Sequence, residues 1–340
     1  NRNLIIPRYP NGAIVNCNLF EYLTDANSQD LTELQNRRDL AYACQTQTQE
    51  QVLQLILKAV EISGKTNVVL SGGYGLNCVA NYFYLDKLNE SGIKLYVEPI
   101  SNDAGTAIGA AMMIHRSINN DSNIVEFTDN LYLGFEKTYS NDEIEIACAV
   151  FDAELKDTDN LEIVDLLRNK NIVAVFQGRS ENGPRALGNR SILFDPTIED
   201  GKDFVNNIKH REYFRPFAGT ILKEHAHEWF DLRGLDESPS MMYAVNCKPG
   251  VAEKIPSVIH VDGTCRIQTV TEKQNKHFYD LISEFYKATG TPILFNTSFN
   301  LGGDPLVETL HDALDTLARS EIEYLYLPEN GKLIRILNQV

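Results

Sequence analysis

Apolar residues recur at helical steps in one long segment near the start of the chain. Residues 1 to 30 are rich in Asn and Asp and show little periodicity. Over Thr32–Ser63, residues such as Leu53, Ile56 and Val60 follow one another at steps of three and four. This spacing predicts a helix with one apolar face, preceded by an irregular segment.

The elements predicted next alternate between strands and helices, which is typical of an α/β fold. Short apolar runs predict strands, and helical patterns follow the turns between them. In chain order we predict a strand over 67–70, a glycine turn over 71–77, a helix over 78–88, a strand over 93–97 and a helix that begins at Asp103. Residues 141–160 are rich in Asp and Asn, and we predict that they form a linker.

The composition indicates a soluble globular protein. The chain has 340 residues, enough for two domains of ordinary size, and 43% of them are apolar. No apolar run approaches the roughly 20 residues that span a bilayer, and the N-terminus lacks the apolar core of a signal peptide. Because the sequence does not begin with Met, we expect a processed or truncated piece. The six cysteines form no C-x-x-C pair, which favours free thiols in a reducing cytoplasm.

The segment from Gly178 to Ser191 carries the strongest chemical signal in the sequence. It places three arginines and three glycines within 14 residues, directly after the apolar run over 172–176. Glycine allows close approach of the backbone to a ligand, and the guanidinium group of arginine binds phosphate or carboxylate oxygens bidentately. We therefore predict an anion-binding loop that includes Arg179 and Arg185.

A second basic cluster, Lys209 to Phe217, alternates cations with aromatic rings. Nucleic-acid surfaces can have this pattern, but the net charge of −16 would repel a polyanion. Lys209, Arg211 and Arg215 therefore suit a small phosphorylated ligand better than a nucleic acid.

Two later segments and one earlier turn add candidate ligand contacts. An apolar strand over 291–295 leads into a polar loop, in which we predict that Asn296 and Ser298 form neutral hydrogen bonds with the ligand. Arg266 adds a further cation in a β-rich stretch. The glycine turn precedes a helix, where backbone N–H groups can meet phosphate, and its candidate residues are Gly72, Gly73 and Asn77.

Four of these segments, in this order, resemble the C-terminal domain of the O-carbamoyltransferases of nodulation-factor and antibiotic biosynthesis. The family pattern runs GRSE-x-GPRALG-x-RS, K-x-RE-x-FRPFA, R-x-Q and NTSFN, and it covers roughly residues 160 to 335. The resemblance implies a YrdC-like α/β domain over 151–340 that binds carbamoyl phosphate and ATP. Such a domain makes carbamoyl adenylate and releases pyrophosphate.

Residues 1–150 resemble the second half of the family's other domain, which belongs to the actin-like ATPase (ASKHA) superfamily. There the counterpart of Asp103 is a ligand of the active-site metal, and the glycine turn faces the nucleotide. The family's first half, with a phosphate loop and an H-x-x-x-H metal motif, is missing, since His115 is the single histidine in this region. The resemblance thus implies a partial domain whose metal site needs another polypeptide or a missing segment.

The resemblance assigns roles to the candidate residues. Lys209, Arg211, Arg215 and Arg266 would clamp carbamoyl phosphate and the nucleotide phosphates, and Ser298 would bind the carbamoyl group or the phosphate. Glu181 would orient an arginine. The remaining expected cofactors and partners are ATP with Mg²⁺, Fe²⁺ or another divalent metal at the transfer site, carbamoyl phosphate and a small hydroxylated acceptor, with no membrane and no nucleic acid.

Two alternatives stay open. The chain could be a non-catalytic subunit that binds nucleotide or carbamoyl phosphate and works beside a partner chain, as the missing histidine motif suggests. The chain could also belong to the threonylcarbamoyl-adenosine tRNA-modifying machinery, a close relative that shares both folds. The GPRALG and FRPFA strings favour the carbamoyltransferases, and the acidic net charge disfavours tRNA.

Overall fold

The computed structural model describes residues 5–7, 13–15, 31–121 and 130–337. The contacts between residues divide the chain into two compact units, Asn1–Leu70 with Ala80–Tyr96, and Ser71–Val79 with Val97–Val340. These units differ from the predicted domains 1–150 and 151–340. The domain boundary at residue 150, which rests on the family resemblance, stays a prediction.

The first unit contains a long helix and two small pairs of strands. The helices and strands in or overlapping it are β1 (Ile5–Pro7), β2 (Ala13–Val15), α1 (Leu31–Ser63), β3 (Asn67–Leu70), α2 (Cys78–Asn89) and β4 (Lys94–Val97). β1 pairs with β2, and β3 pairs with β4. The predicted helices and strands of this region are confirmed to within one or two residues. The prediction of irregular structure over 1–30 lies largely outside the described residues.

The second unit is built around one ten-stranded mixed sheet. Its elements are α3 (Asp103–Asn119), α4 (Asn141–Val150), β5 (Ala153–Asp157), α5 (Asn160–Arg168), β6 (Val173–Phe176), β7 (Arg190–Phe194), α6 (Gly201–Ile208), β8 (Ala218–Leu222), α7 (Ala226–Trp229), β9 (Phe230–Asp231), β10 (Ala244–Cys247), β11 (Thr264–Val270), α8 (Lys276–Thr289), β12 (Ile293–Ser298), α9 (Leu310–Ala318), β13 (Tyr324–Leu327) and β14 (Lys332–Ile336). The strand order is β5-β14-β13-β6-β7-β12-β8-β11-β10-β9. The α/β class is confirmed.

The predicted linker over 141–160 is wrong. Helix α4 begins after Ser140, whose hydroxyl accepts the N–H of Glu143 while the Glu143 carboxylate accepts the N–H of Ser140. Strand β5 then pairs along its whole length with β14. Polar residues at helix N-termini have the same composition as a loop, which is why the sequence pattern suggested a linker.

One face of the sheet changes from apolar to polar along its central strands. Side chains alternate between faces along a strand, so Arg266, Gln268 and Val270 of β11 project on the same side. Val270 belongs to the main core under α5 and α8, together with Leu294 of β12. Asn296 follows Leu294 on the same face. The strands therefore place cations and amides immediately beyond the edge of the hydrophobic core.

The helices that cover this core have the expected apolar spacing. Phe278, Leu281, Ile282 and Phe285 of α8 are buried against the sheet at steps of three and four residues. The helix begins at Asn275, whose side chain accepts the N–H of Phe278, and ends at a left-handed glycine. Within the described residues, no helix combines the length and apolar character needed to cross a bilayer.

Candidate functional site

The glycine- and arginine-rich segment connects two adjacent antiparallel strands, β6 and β7. Its shape is fixed by the buried carboxylate of Glu181, which accepts backbone N–H groups from Leu187 at 2.6 Å, Asn189 at 2.9 Å and Arg190 at 3.3 Å. Burial raises the pKa of Glu181, and these hydrogen bonds oppose the shift. Its partners are backbone amides, which corrects the expectation that Glu181 orients an arginine side chain.

The buried guanidinium of Arg190 holds the same loop from the other side. It donates to the carbonyl oxygens of Gln177 at 2.6 Å, Gly178 at 3.1 Å and Glu308 at 3.2 Å. It also lies 3.6 Å from the centre of the Phe176 ring. Since both terminal nitrogens of the guanidinium donate to carbonyl oxygens of the protein, Arg190 is a structural residue of the loop.

Arg185 extends from this loop to the glycine turn. Its guanidinium donates to the carbonyl oxygen of Leu76 at 3.1 Å and lies 3.5 Å from the thiol of Cys78. The glycine- and arginine-rich loop and the glycine turn were predicted to lie in different domains. This contact shows that they are adjacent within the second compact unit. This contact could not be predicted from the residue types, because Leu76 contributes only a backbone oxygen.

The glycine turn has an open surface at Gly72 and Gly73. Gly72 has a φ of 98°, in the region that favours glycine, and Gly73 begins a short 3-10 turn. The Asn77 N–H closes that turn by donating to the carbonyl oxygen of Tyr74 at 3.0 Å. A Cβ atom added at either glycine would meet no protein atom within 4 Å, so a ligand can approach the backbone here.

Arg266 is a cation near Arg185 and Arg211 that forms no ion pair with any described residue. Burial and then the nearby charge of Arg185, with a smaller effect of Arg211, lower its pKa to about 10. With the described residues, its side chain makes no hydrogen bond and no ion pair, and its Nε atom is buried without a partner. A charge in this position is costly unless an anion neutralises it. Of the grouped cations, Arg266 is thus the one that an anionic ligand would stabilise most.

Lys209, at the end of α6, and Ser298, at the end of β12, lie together. The ammonium group of Lys209 donates to the carbonyl oxygen of Ser298 and to the Asn300 Oδ1 atom at 3.3 Å. The Ser298 hydroxyl donates to the same Oδ1 atom at 2.6 Å. Burial, and then the charge of Arg211, hold the pKa of Lys209 well below its ordinary value. Arg211 therefore links this pair electrostatically to Arg266.

Arg211 and Arg215 complete the cationic side of the site. The guanidinium of Arg211 lies 5.3 Å from the centre of the Phe217 ring, and burial lowers its pKa, followed by the charge of Arg215. Arg215 is half-exposed and pairs with Glu212 at 2.7 Å. Arg211 is thus desolvated, whereas Arg215 lies at the solvent edge.

Two predicted ligand contacts have partners within the protein, although the Oδ1 atom of Asn296 is buried without a hydrogen-bond partner among the described residues. Asn296 is fully buried, and its amide donates to Thr220 at 2.9 Å, Gln268 at 3.2 Å and the Ala186 carbonyl at 3.2 Å. Arg179 pairs with Glu136 at the surface and has no contact with the arginine cluster. The structure therefore groups Lys209, Arg211, Arg266 and Arg185, and leaves Asn296 beneath the loop and Arg179 outside the group.

Asp103, the predicted metal ligand, is not part of a group of metal-ligating side chains among the described residues. Asp103 is the first residue of α3, and its side chain is exposed. Among the residues that the structure describes, no three His, Cys, Asp or Glu side chains are grouped so that they could hold a metal ion. The described residues do not fit a transition-metal site, which normally uses three or more protein ligands.

The pH dependence of anion binding should reveal Lys209. Its folded-state pKa lies below its unfolded value, so the ligand-free protein should gain stability as pH rises through the folded pKa. Sulfate keeps two charges throughout this range and prefers the protonated lysine, so its affinity should fall as pH rises. Calorimetric titration with sulfate at neutral and alkaline pH measures this slope. A Lys209→Met variant with an equally steep slope would contradict the assignment.

Gly302 should be needed for the position of Lys209. Its N–H donates to the carbonyl oxygen of Lys209 at 2.7 Å, and a Cβ atom there would lie 2.6 Å from the carbonyl oxygen of His210. We expect Gly302→Ala to weaken sulfate binding several-fold because the two loops must separate. Gly109→Ala, in a helix and with no atom within 4 Å of the new Cβ, is the matched control and should bind normally.

Comparison with known families gives two matches along the chain. Residues 164–332 match the family model described as carbamoyltransferase C-terminus, and residues 6–112 match the model described as carbamoyltransferase N-terminus. The chain belongs to the carbamoyltransferase family. The matches lie on either side of residue 150, and all four of the grouped cations fall within the C-terminal match.

Carbamoyltransferase relatives include several nodulation proteins. Nodulation protein NolO of Bradyrhizobium diazoefficiens is 35% identical over 86% of this chain and 54% of its own length. Nodulation protein NolNO of Sinorhizobium fredii is 35% identical over 86% of this chain and 43% of its length. Nodulation protein U of Rhizobium tropici is 34% identical over 74% and 41%, respectively. The chain thus spans about half the length of these curated relatives.

A weaker likeness connects the chain to solved structures of HypF. The crystal structure of full-length HypF in the phosphate- and nucleotide-bound form covers 53% of this chain and 26% of its own, with 17% sequence identity and a TM-score of 0.36. A likeness of this size does not establish a shared fold.

Proposed function

We propose that this carbamoyltransferase makes carbamoyl adenylate from carbamoyl phosphate and ATP and passes the carbamoyl group to a hydroxylated acceptor. The observation that carries the proposal is the unpaired Arg266 surrounded by Arg185 and Arg211. A site with several unneutralised cations suits ligands with several negative charges. The family membership supplies the carbamoyl group as the part that is transferred.

The cations have complementary roles in this proposal. Arg266 and Arg211 bind the phosphoryl oxygens, because both are desolvated and guanidinium binds such oxygens bidentately. Lys209 is a point charge that Ser298 and Asn300 hold in place. Arg215, at the solvent edge, exchanges its exposed partner Glu212 for a phosphate of the incoming nucleotide. Together they stabilise charge that shifts between oxygens during the reaction.

The chemistry balances in three steps. Water cleaves carbamoyl phosphate to carbamate and inorganic phosphate. A carbamate oxygen attacks the α-phosphorus of ATP, and pyrophosphate leaves with the electron pair of the broken P–O bond. The acceptor hydroxyl then attacks the carbonyl carbon, AMP leaves, and the hydroxyl proton passes to solvent. Mg²⁺ accompanies ATP as the counterion of its phosphates.

The finer fold assignment is also part of this proposal. We assign the region after residue 150 to a YrdC-like domain and the region before it to part of an ASKHA domain. The large mixed sheet with its polar strand ends and the two family matches support this assignment. We further propose that the protein acts in the cytoplasm, where five described cysteines stay free thiols.

Release of pyrophosphate tests the proposal directly. The purified chain is mixed with ATP, Mg²⁺ and carbamoyl phosphate, and pyrophosphate is measured with and without carbamoyl phosphate. Release that depends on carbamoyl phosphate supports adenylate formation. Binding of both ligands without any release would instead favour the alternative, a non-catalytic subunit that acts beside a partner chain.

Replacement of Asp103 should separate the two halves of the reaction. We expect Asp103→Ala to leave pyrophosphate release unchanged, because Asp103 lies on α3 and contacts none of the grouped cations. Carbamoyl transfer should fall in the same variant when a polypeptide with an H-x-x-x-H motif is supplied to complete the metal site. Both rates are measured side by side by chromatography of AMP and the carbamoylated acceptor. Equal loss of both rates would contradict the division of labour.

A further inference from the structure

Two aromatic side chains lie exposed between cations of the site. Tyr213 and Phe214 are 68% and 65% exposed, so most of each ring faces solvent. They lie in the loop between Arg211 and Arg215, so their Cα atoms stand within about 11 Å of the Cα atoms of both arginines. Among the described residues, these are the exposed aromatic rings that sequence places directly beside the grouped cations.

The exposure of the rings is built into the loop. The buried amide of Asn206 on α6 donates to the carbonyl oxygens of Tyr213 at 3.4 Å and Arg215 at 3.1 Å. The backbone carbonyl oxygen of Asn206 accepts the backbone N–H of Arg211 at 2.9 Å. These bonds fix the loop backbone against α6 on both sides of the aromatic pair. The rings are thereby held toward solvent without a core to enter.

The two rings also define a surface suited to a planar group. They contact each other edge to face, with centroids 5.8 Å apart and an angle of 84° between the planes. Such a contact leaves a face of one ring open for stacking. Nucleobases stack on aromatic side chains because every base has a π-face, and nearby cations hold the phosphates of the same ligand.

We propose that Tyr213 and Phe214 form the stacking platform for the purine base of the nucleoside triphosphate. This inference rests on the proposed function, since it places the base beside the site assigned to the phosphates. Arg211 and Arg215 bind the phosphate oxygens, and the loop between them presents the rings to the base. The platform explains why two apolar rings are kept in water beside a cationic site.

Comparison of ATP with tripolyphosphate tests the platform. Tripolyphosphate carries the phosphates without a base, so it serves as the probe of the cations alone. Calorimetric titration of the whole chain with each ligand is made for the parent protein, Tyr213→Ala and Phe214→Ala. We expect each variant to weaken ATP binding by about fivefold or more, a typical value for loss of one stacked base, and to leave tripolyphosphate binding within about twofold.

Conservative variants and a distant ring provide controls. Tyr213→Phe and Phe214→Tyr keep an aromatic ring and should bind ATP normally. Tyr42→Ala on α1 removes an equally exposed ring, 74% accessible, and should change neither titration. An equal decrease in the affinities for ATP and tripolyphosphate would mean that the rings merely support the loop. Unchanged ATP binding would assign the rings to another occupant, such as a protein surface. Either result overturns the platform.

The same titrations separate this inference from the proposed function. If the parent chain binds neither ATP nor tripolyphosphate, the phosphate site itself is wrong and the platform fails with it. If tripolyphosphate binds and Arg266→Met abolishes that binding, the phosphate site stands. The platform is then judged by the selective loss of ATP binding alone.

Discussion

Replacement of Arg266 by methionine should abolish pyrophosphate release while making the ligand-free protein more stable. Loss of one preorganised donor to a developing charge typically costs roughly 10²- to 10³-fold in rate. Arg266 is unpaired among like charges, so its removal also relieves repulsion from Arg185 and Arg211. Even buried ion pairs can often be replaced by apolar residues of similar volume with no loss, or with a gain of about 1–4 kcal/mol, and Arg266 has no such pairing to lose among the described residues.

The measurements are pyrophosphate release and the midpoint of thermal unfolding without ligand. We expect the midpoint to rise by about 2–4 °C for each kcal/mol gained. Arg335→Met is the matched control, because Arg335 is half-exposed and pairs with Glu323 at 3.1 Å. It should change neither quantity measurably. A lower unfolding midpoint for Arg266→Met would show that Arg266 stabilises the fold, and unchanged turnover would remove it from the site.

Replacement of Glu181 by alanine should cause the largest combined loss of stability and activity. Three backbone N–H groups would remain buried without an acceptor, and each such group costs about 1–3 kcal/mol. The loop that carries Arg185 would lose its internal support. We therefore expect a loss of several kcal/mol in the free energy of unfolding and a fall of at least about 100-fold in pyrophosphate release.

A glutamine at the same position distinguishes positioning from simple instability. The strongest bonds, to Leu187 and Asn189, end at one carboxylate oxygen, which the glutamine carbonyl can replace. Glu181→Gln should thus retain most of the stability and activity of the parent. Denaturant unfolding measures the stability, and pyrophosphate release over a range of substrate concentrations at low temperature measures the activity. Glu272→Ala, which breaks the exposed pair with Lys276, is the control and should behave like the parent. Normal turnover of a folded Glu181→Ala protein would disprove the positioning role.

Elements with local signals could be predicted from the sequence alone. Helix α1 and strand β3 follow from the spacing of apolar residues within a few turns of chain. An anion-binding site was also predicted from the sequence, because arginine, lysine and glycine close together after a buried strand are typical of such sites. The family motifs were sufficient to predict carbamoyltransferase membership, which the family matches confirm.

The segment over 141–160 required tertiary structure. Its Asp and Asn residues are as typical of loops as of helix N-termini, so composition could not distinguish the two. Strand β5 is fixed by pairing with β14, where Lys332 meets Asp157, 175 residues away in the chain. Such a partner cannot be read from a local pattern, since pairing depends on which strands the rest of the fold brings together.

The roles of individual charged residues were likewise decided by the fold. Arg179, Arg185, Arg190 and Arg266 are the same residue type, and the sequence could not tell which of them lacks a partner. The structure gives Arg179 a surface carboxylate and Arg190 a set of buried carbonyls, and it leaves Arg266 without an ion pair in the part of the chain that is described. Sequence alone predicted that cations gather at one site to bind an anion. Only tertiary packing decided which of them remain available to bind it, because partner and burial, not residue type, set the cost of an unneutralised charge.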